Sequence, residues 1–562
     1  MGAGELIGRS RACPIRVLSE CSVVDQRGRR RARYVAASIE KQLGALPVIA
    51  DYCRRLDLAG IVDQACPIRD LAGLTHGQVI ETLVANRLTS PAPLVRVSDW
   101  AGGYAVEEVF GVNPALLNDD RIGRALDAIA TELDHIVGSV GAQAISVFGL
   151  DTSRLHWDMT SISLYGAYDQ VDADHPAPRF GHPKDRRLDL KQIQAGLAVT
   201  GDGGVPVFHR AYDGGAGEVA QVVGAMTELQ KMARPREFLL VGDSKLVSYN
   251  NVSAMIDAGV GFIAPAAKAY TPAVTLAELD LDSTIEVDYT AQRDAAKPAA
   301  ERGRWRVSED TMTLAGKRKR DPVLQLRRVF VHSTARAHAA ATARAKKLDR
   351  ATDDLQRLQR GLGSRHYPDH QAVTARITAI ASARRVTAYL RTQTGTDPAT
   401  GKPTLHWAFD QAALDAETAT DGWYALLTNL PADLGPAEVL IRYKGQEVVE
   451  RRYGTVKGPL AVAPIFLKNN RRIAALITVI CLALLIFCLI ERQVRQAITP
   501  QTTLDGLYAG RSAKPTGRLI FEALARLRLI PAINGQPPGI PQPPPLQATL
   551  LALLDVDPTR PR

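Results

Sequence analysis

Leu155–Leu164 reads LHWDMTSISL, a stretch in which side chains alternate in character, several are β-branched, and one carboxylate, Asp158, stands in the middle. A period of two predicts a β-strand. Two further extended stretches follow, Gln192–Thr200 (QIQAGLAVT) and Val205–Arg210, separated by the turn Asp202-Gly203-Gly204. Three consecutive strands of this kind predict an antiparallel meander.

Working outward, a helix is expected over about 218–232, then the apolar strand Glu237–Val241 and the sharp Gly242-Asp243-Ser244. A second helix covers roughly 246–258, and GFIAPAA at 261–267 returns as a strand. Three antiparallel strands, helix, strand, helix, strand is the order of a ribonuclease H-like core. The expected fold class is therefore α/β: a mixed five-stranded sheet with helices, interrupted by an insertion domain and preceded by an all-helical domain.

Upstream, Val48, Ile49, Tyr52 and Leu56 share a helical face, and Thr75 with Gln78 predicts a capping box that opens a helix stopped by Ser90-Pro91. Ile122, Leu126, Ile129 and Leu133 recur at helical spacing. The period changes to extended after about Gly141. These patterns divide the chain into a basic and mobile arm (1–35, with RGRRRAR at 27–33) that is either a DNA contact or a solubilising tail, a helical N-terminal domain (36–140) of a size that often binds DNA, though no recognition helix is identified, a first core part (141–267), an insertion (268–420), a second core part (421–495) and a tail (496–562). The insertion carries KRKR at 317–320 and a helical hairpin over about 334–360 and 370–390. The core resumes with the strand WYALLTNL at 423–430. The tail holds an amphipathic helix, Arg518–Leu529, and the tract PPGIPQPPPL, expected to be extended.

Tyr443–Lys457 reads YKGQEVVERRYGTVK. On one continuous helix Tyr443, Glu450 and Lys457, seven apart, would share a polar face. The plainer alternative is a solvated helix laced with Glu and Arg pairs.

The chain of 562 residues is 46% hydrophobic and 23% charged, as globular proteins are, with a net charge of +10. That charge suits an anionic partner, nucleic acid or an acidic membrane surface. Six cysteines form no CxxC pair and no zinc-spaced cluster, and are expected to be reduced thiols. No secretion signal is read at the N-terminus. Ile473–Ile490 is an uncharged run of eighteen residues, at the lower limit for a membrane span; a buried core helix explains the same run and is the reading its context favours.

Three acids stand where such a core would bring them together: Asp158 in the first strand, Asp243 after the fourth and Glu450 on a helix after the fifth. Hard carboxylate oxygens can hold two divalent cations at an in-line phosphoryl transfer. Each has a structural alternative. Asp151 rivals Asp158, Asp243 suits a helix cap, and Glu450 suits a surface ion pair.

DMTSISLYG at 158–166, GHPKDRRLDLKQIQAGLAVTGDGGVPV at 181–207, VGDSKLVSYNN at 241–251 and Tyr443-x2-Gln446-x3-Glu450-x6-Lys457 together resemble a bacterial insertion-sequence DDE transposase, of the branch with a Tyr-Arg-Glu-Lys signature around its last acid. The resemblance covers about 140–495. It implies that Asp158, Asp243 and Glu450 are the catalytic, metal-holding triad, served by two Mg²⁺ ions for which Mn²⁺ substitutes. It implies DNA contacts from Lys457, Tyr443 and Gln446, the last standing where the signature has Arg, and offers Trp305 for base stacking, with core packing as the plainer role for that residue. The implied activity is metal-dependent endonuclease and strand transfer: binding of terminal inverted repeats, cleavage that frees a 3′-hydroxyl, and attack on target DNA. The partners would be double-stranded DNA and a second copy in a homodimer, with no membrane, in the bacterial cytoplasm at the nucleoid. A catalytically inactive, transposase-derived DNA-binding protein is one alternative reading, and a membrane-anchored basic protein another.

Overall fold

A computed structural model of the chain describes residues 20–24, 30–34, 40–68, 72–169, 172–232, 237–291, 294–295, 297–460, 465, 467–499, 504–508, 515–530 and 539–559. The chain folds as two compact units, Met1–Phe238 with Glu447–Arg562, and Leu239–Gln446.

The first unit is built around the helix Asn470–Ala497. Its 28 residues are long and apolar enough to cross a membrane. Every residue of Ile473–Ile490 is nevertheless buried by the protein itself. The cover comes from His76–Thr89, Asp119–Ala130, Glu447–Lys457, Gly517–Leu524 and Pro545–Leu554, and from the strand Pro206–Tyr212. Burying each large aliphatic side chain contributes about 1.5–3 kcal/mol, so this run is the main apolar anchor of the unit. Charged residues fasten its ends. Arg471 and Arg472 both reach Asp127, and Arg492 pairs with Asp202.

The helices Leu46–Arg55 through Leu133–Phe148 precede the strands. The capping box is present: Thr75 Oγ1 accepts from Gln78 N at 3.1 Å, and Gln78 Oε1 accepts from Thr75 N at 2.9 Å. The change of period expected after Gly141 comes later, because the helix runs to Phe148 and stops where Gly149 takes φ +55°. The boundary expected at 140 does not separate compact units, since these helices and the strands share one apolar helix as core.

The meander forms as expected. Arg154–Leu164 pairs antiparallel with Lys191–Thr200, with Asp158 opposite Leu197, and Lys191–Thr200 pairs antiparallel with Pro206–Tyr212. Gly203 and Gly204 turn the second hairpin at φ +80° and +63°, conformations that side chains disfavour. Of the basic arm, Arg30–Tyr34 is a strand paired with Glu20–Val24, whereas 27–29 lie outside the described residues. In the tail, Pro545 opens a helix to Leu554 with proline in its first turn, so the extended tract ends before it. The amphipathic helix stops at Leu524, and Arg528–Leu529 pairs as a short strand with Lys41–Gln42.

The second unit holds six strands in the order Leu239–Val241, Gly261–Pro265, Trp423–Thr428, Leu324–Ser333, Trp305–Leu314, Ile285–Val287. The first two are parallel and the remaining neighbours antiparallel. The expected five-stranded sheet is thus exceeded. Trp305–Leu314 and Leu324–Ser333, read from sequence as charged insertion, are ten-residue strands. Their charges had masked the alternation. Arg327 pairs with Glu309 and Arg328 with Asp310 across the ladder, while Val307, Val329 and Val331 are buried beneath. The helical hairpin is present as Thr334–Arg360 and His370–Arg384, closed on Leu355, Leu358, Val373, Ile377 and Ile380.

Candidate functional site

Asp158 is 6% exposed on its strand. Its Oδ1 accepts from the Met159 amide at 2.8 Å. The Lys184 ammonium meets both carboxylate oxygens, at 3.2 and 3.3 Å. Lys184 is delivered by the loop before Lys191–Thr200, which is laced to the opening strand. The Lys184 amide donates to Ser161 Oγ at 2.9 Å, and Ser163 Oγ donates to Asp185 at 2.6 Å. Asp151, the rival acid, is exposed and accepts from Ser153 N in a local turn.

A second acid stands beside Asp158. Glu218 opens the 3-10 turn after the third strand, and one of its carboxylate oxygens lies within 4.8 Å of one of Asp158. Two carboxylates this close repel unless a cation lies with them. Hard oxygen donors at this separation fit Mg²⁺ or Mn²⁺, and Asp158 and Glu218 are the residues of this unit that would hold it.

The helix Glu447–Lys457 packs on the opening strand. Tyr453 donates to the main-chain carbonyls of Asp158 at 2.6 Å and Ala195 at 3.1 Å. Burial, reinforced by the Asp158 charge, holds this phenol well above its ordinary pKa of 10, so it stays a neutral donor. Glu450 is exposed and, among the described residues, takes no ion pair or hydrogen bond. Lys457 ends the helix with its pKa lowered, chiefly by loss of solvation; Asp185 opposes that shift, Lys184 adds to it, and Asp158 opposes it.

The other expected site residues lie in the second unit. Asp243 caps the turn Ser244–Leu246, its Oδ1 accepting from Lys245 N at 2.9 Å. Tyr443 ends the helix Pro436–Tyr443 and packs on the core that contains Trp305. The single helix expected over 443–457 is broken. Lys444–Gln446 is a 3-10 turn between the helices Pro436–Tyr443 and Glu447–Lys457. Glu450 and Lys457 remain together on the second helix. Trp305 is 7% exposed, with Tyr289 against it at 6.1 Å and the Lys444 ammonium over its ring at 3.4 Å. Trp305 is thus packed into the core of its unit, with a cation already over its ring.

Sequence reasoning missed Glu218, Lys184 and Tyr453. Lys184 sits in a run of mixed charges, Glu218 resembles any acid at a helix start, and Tyr453 lies one turn after Glu450. The last offered a signal: Val449, Tyr453 and Val456 recur at spacings of four and three, the stripe that marks the inward face of a helix.

A family model described as a domain of unknown function (DUF4277) matches residues 38–137. No curated protein matches. Among solved structures, the cryo-EM structure of a piggyBac transposase synaptic complex with hairpin DNA aligns over 85% of this chain and 79% of that chain, at 8% identity and a TM-score of 0.38. Similarity of that size leaves fold and function to be argued from this chain's own residues.

Proposed function

We propose that this chain is an insertion-sequence DNA transposase, with a ribonuclease H-like core, that cuts at terminal inverted repeats and joins the freed ends to target DNA. The observation that carries the reading is the buried carboxylate of Asp158 beside Glu218, with Lys184 and Lys457 around it. Acids that hold a divalent cation next to lysines that bind phosphate are what phosphodiester chemistry requires. Motifs in the order of a DDE transposase support it, as does the net charge of +10.

In this reading Asp158, Asp243 and Glu450 are the catalytic acids and Glu218 joins them. The bound cations, Mg²⁺ or Mn²⁺, would neutralise charge on the reacting phosphate and raise the acidity of the attacking hydroxyl. Water breaks the first P–O bond and leaves a 3′-hydroxyl. That oxygen then forms the new P–O bond to target DNA while a target 3′-oxygen departs, so no protein nucleophile is needed. Lys457 and Lys184 hold phosphates, Tyr443 and Gln446 support the same strand, and Tyr453 fixes the level of Asp158 in the sheet. Two protomers would pair two ends in the bacterial cytoplasm.

Purified protein with Mg²⁺ should nick DNA carrying its own terminal repeats. Asp158→Asn and Glu218→Gln should each lower nicking at least about 100-fold while gel-shift affinity persists. Nicking that survives Asp158→Asn removes the assignment. A second reading, a DNA-binding derivative without strand transfer, draws on Gln446 in place of arginine; binding with no cleavage by the unaltered protein would select it.

A further inference from the structure

Asp158 already has a cation. The Lys184 ammonium lies almost equally from both carboxylate oxygens, at 3.2 and 3.3 Å, which is the region a metal ion would claim. A divalent ion binds carboxylate oxygens at about 2.0–2.6 Å, and an ammonium on the same two oxygens would face it at contact distance with like charge. The two cations exclude one another.

The two partners differ in freedom. The Asp158 side chain is 9% exposed and held by the Met159 amide, whereas the Lys184 side chain is 49% exposed. The lysine main chain is fixed, through its amide to Ser161 and through Asp185 to Ser163. Only the four-carbon stem has to rotate for the ammonium to leave. Lys457 is a second cation close enough to interact with Asp185, Lys184 and Asp158.

We infer that Lys184 is an exchangeable counter-ion: it neutralises Asp158 while the acid is metal-free, and moves to a DNA phosphate oxygen when a divalent cation takes the carboxylate. This rests on Asp158 as a metal ligand. Metal and DNA then assist each other. A phosphate draws Lys184 away and opens the acid, and a cation on the acid frees Lys184 for the phosphate. By linkage the two effects are equal in size. Lys184 is a positioning residue for Asp158 and a phosphate ligand in its own right.

The test is calorimetric titration of Mn²⁺ into the full chain, with and without duplex DNA, for the unaltered protein, Lys184→Met, Lys184→Arg and Asp158→Asn. Without DNA, Lys184→Met should bind Mn²⁺ about tenfold more tightly, and DNA should no longer strengthen that binding. Lys184→Arg should stay near the unaltered protein. The salt slope of DNA binding should fall by about one phosphate contact in Lys184→Met. Equal or weaker Mn²⁺ binding by Lys184→Met overturns the exchange, and if Asp158→Asn loses Mn²⁺ in the same series the metal assignment itself stands. Mn²⁺ binding unchanged in Asp158→Asn overturns both.

Discussion

The phenol of Tyr453 is hydrogen-bonded to the main-chain oxygen of Asp158 at 2.6 Å, tying a helix to a strand residue 295 positions earlier. The same hydroxyl reaches Ala195 on the neighbouring strand. One group therefore sets the helix that carries Glu450 and Lys457 against the strand that carries Asp158. Tyr453→Phe keeps the ring and deletes both bonds. We expect a loss of about 1–2 kcal/mol in urea unfolding, from two buried carbonyls that lose a partner. An unchanged midpoint would show that the ring alone holds the contact.

Arg452 is the next tie. Its guanidinium donates to the carbonyls of Gly203 and Gly204 in the hairpin turn and pairs with Glu491 at 2.8 Å, with side-chain exposures of 8% and 5%. Glu491 also accepts from Gly517 N at 2.7 Å. Arg452→Met takes one of two cations from Glu491, which keeps Arg495 at 2.8 Å, and leaves the Gly203 and Gly204 carbonyls without their donor, so it should cost about 1–3 kcal/mol. Arg452→Met combined with Glu491→Gln should cost less than the two singles summed, by about 0.5–3 kcal/mol. Strict additivity in denaturant melts would rule out coupling.

His209 gives the first unit a pH response. Burial of its imidazole depresses the pKa from 6.5 to about 3. Below pH 6.5 the unfolded chain takes up a proton that the folded chain refuses. Its contribution to stability is therefore complete above 6.5, falls as pH drops to about 3, and is level below that. His209→Phe should flatten the decline of melting temperature with acid across this window relative to the unaltered protein. Parallel curves for the two proteins would exclude His209 as a source of the slope.

Lys444 anchors the turn between the helices Pro436–Tyr443 and Glu447–Lys457. Its ammonium lies 3.4 Å from the centre of the Trp305 ring and donates to the Tyr424 hydroxyl at 3.1 Å. Lys444→Met should lower stability by about 1–2 kcal/mol through loss of this cation–π contact. Lys444→Arg should recover part of it, since guanidinium also stacks on aromatic rings. A methionine variant as stable as the unaltered protein would show that the stem alone is sufficient.

What could be read without coordinates was whatever a short window contains. Alternation marks Arg154–Leu164, a Thr and a Gln three apart mark the start of His76–Thr89, and uncharged length marks Asn470–Ala497. The strands Trp305–Leu314 and Leu324–Ser333 escaped because their cross-strand ion pairs put charge where a strand normally shows neutral polar residues. The turn at Lys444–Gln446 escaped because YKGQEVVERRYGTVK has no proline to announce a break, and Gly445 alone is compatible with a helix.

The amino-acid sequence by itself determined the meander, the capped helices and the apolar run that one unit folds around, and it singled out Asp158, Asp243 and Glu450 as candidate acids. Tertiary structure alone decided which groups meet: Lys184 with Asp158 across 26 residues, Glu218 beside Asp158 across the whole meander, and Tyr453 beneath them. Periodicity and capping act over a few residues, where backbone geometry repeats. A carboxylate's neighbours are set by strand register and by what covers the strand, and both are fixed only when distant segments pack.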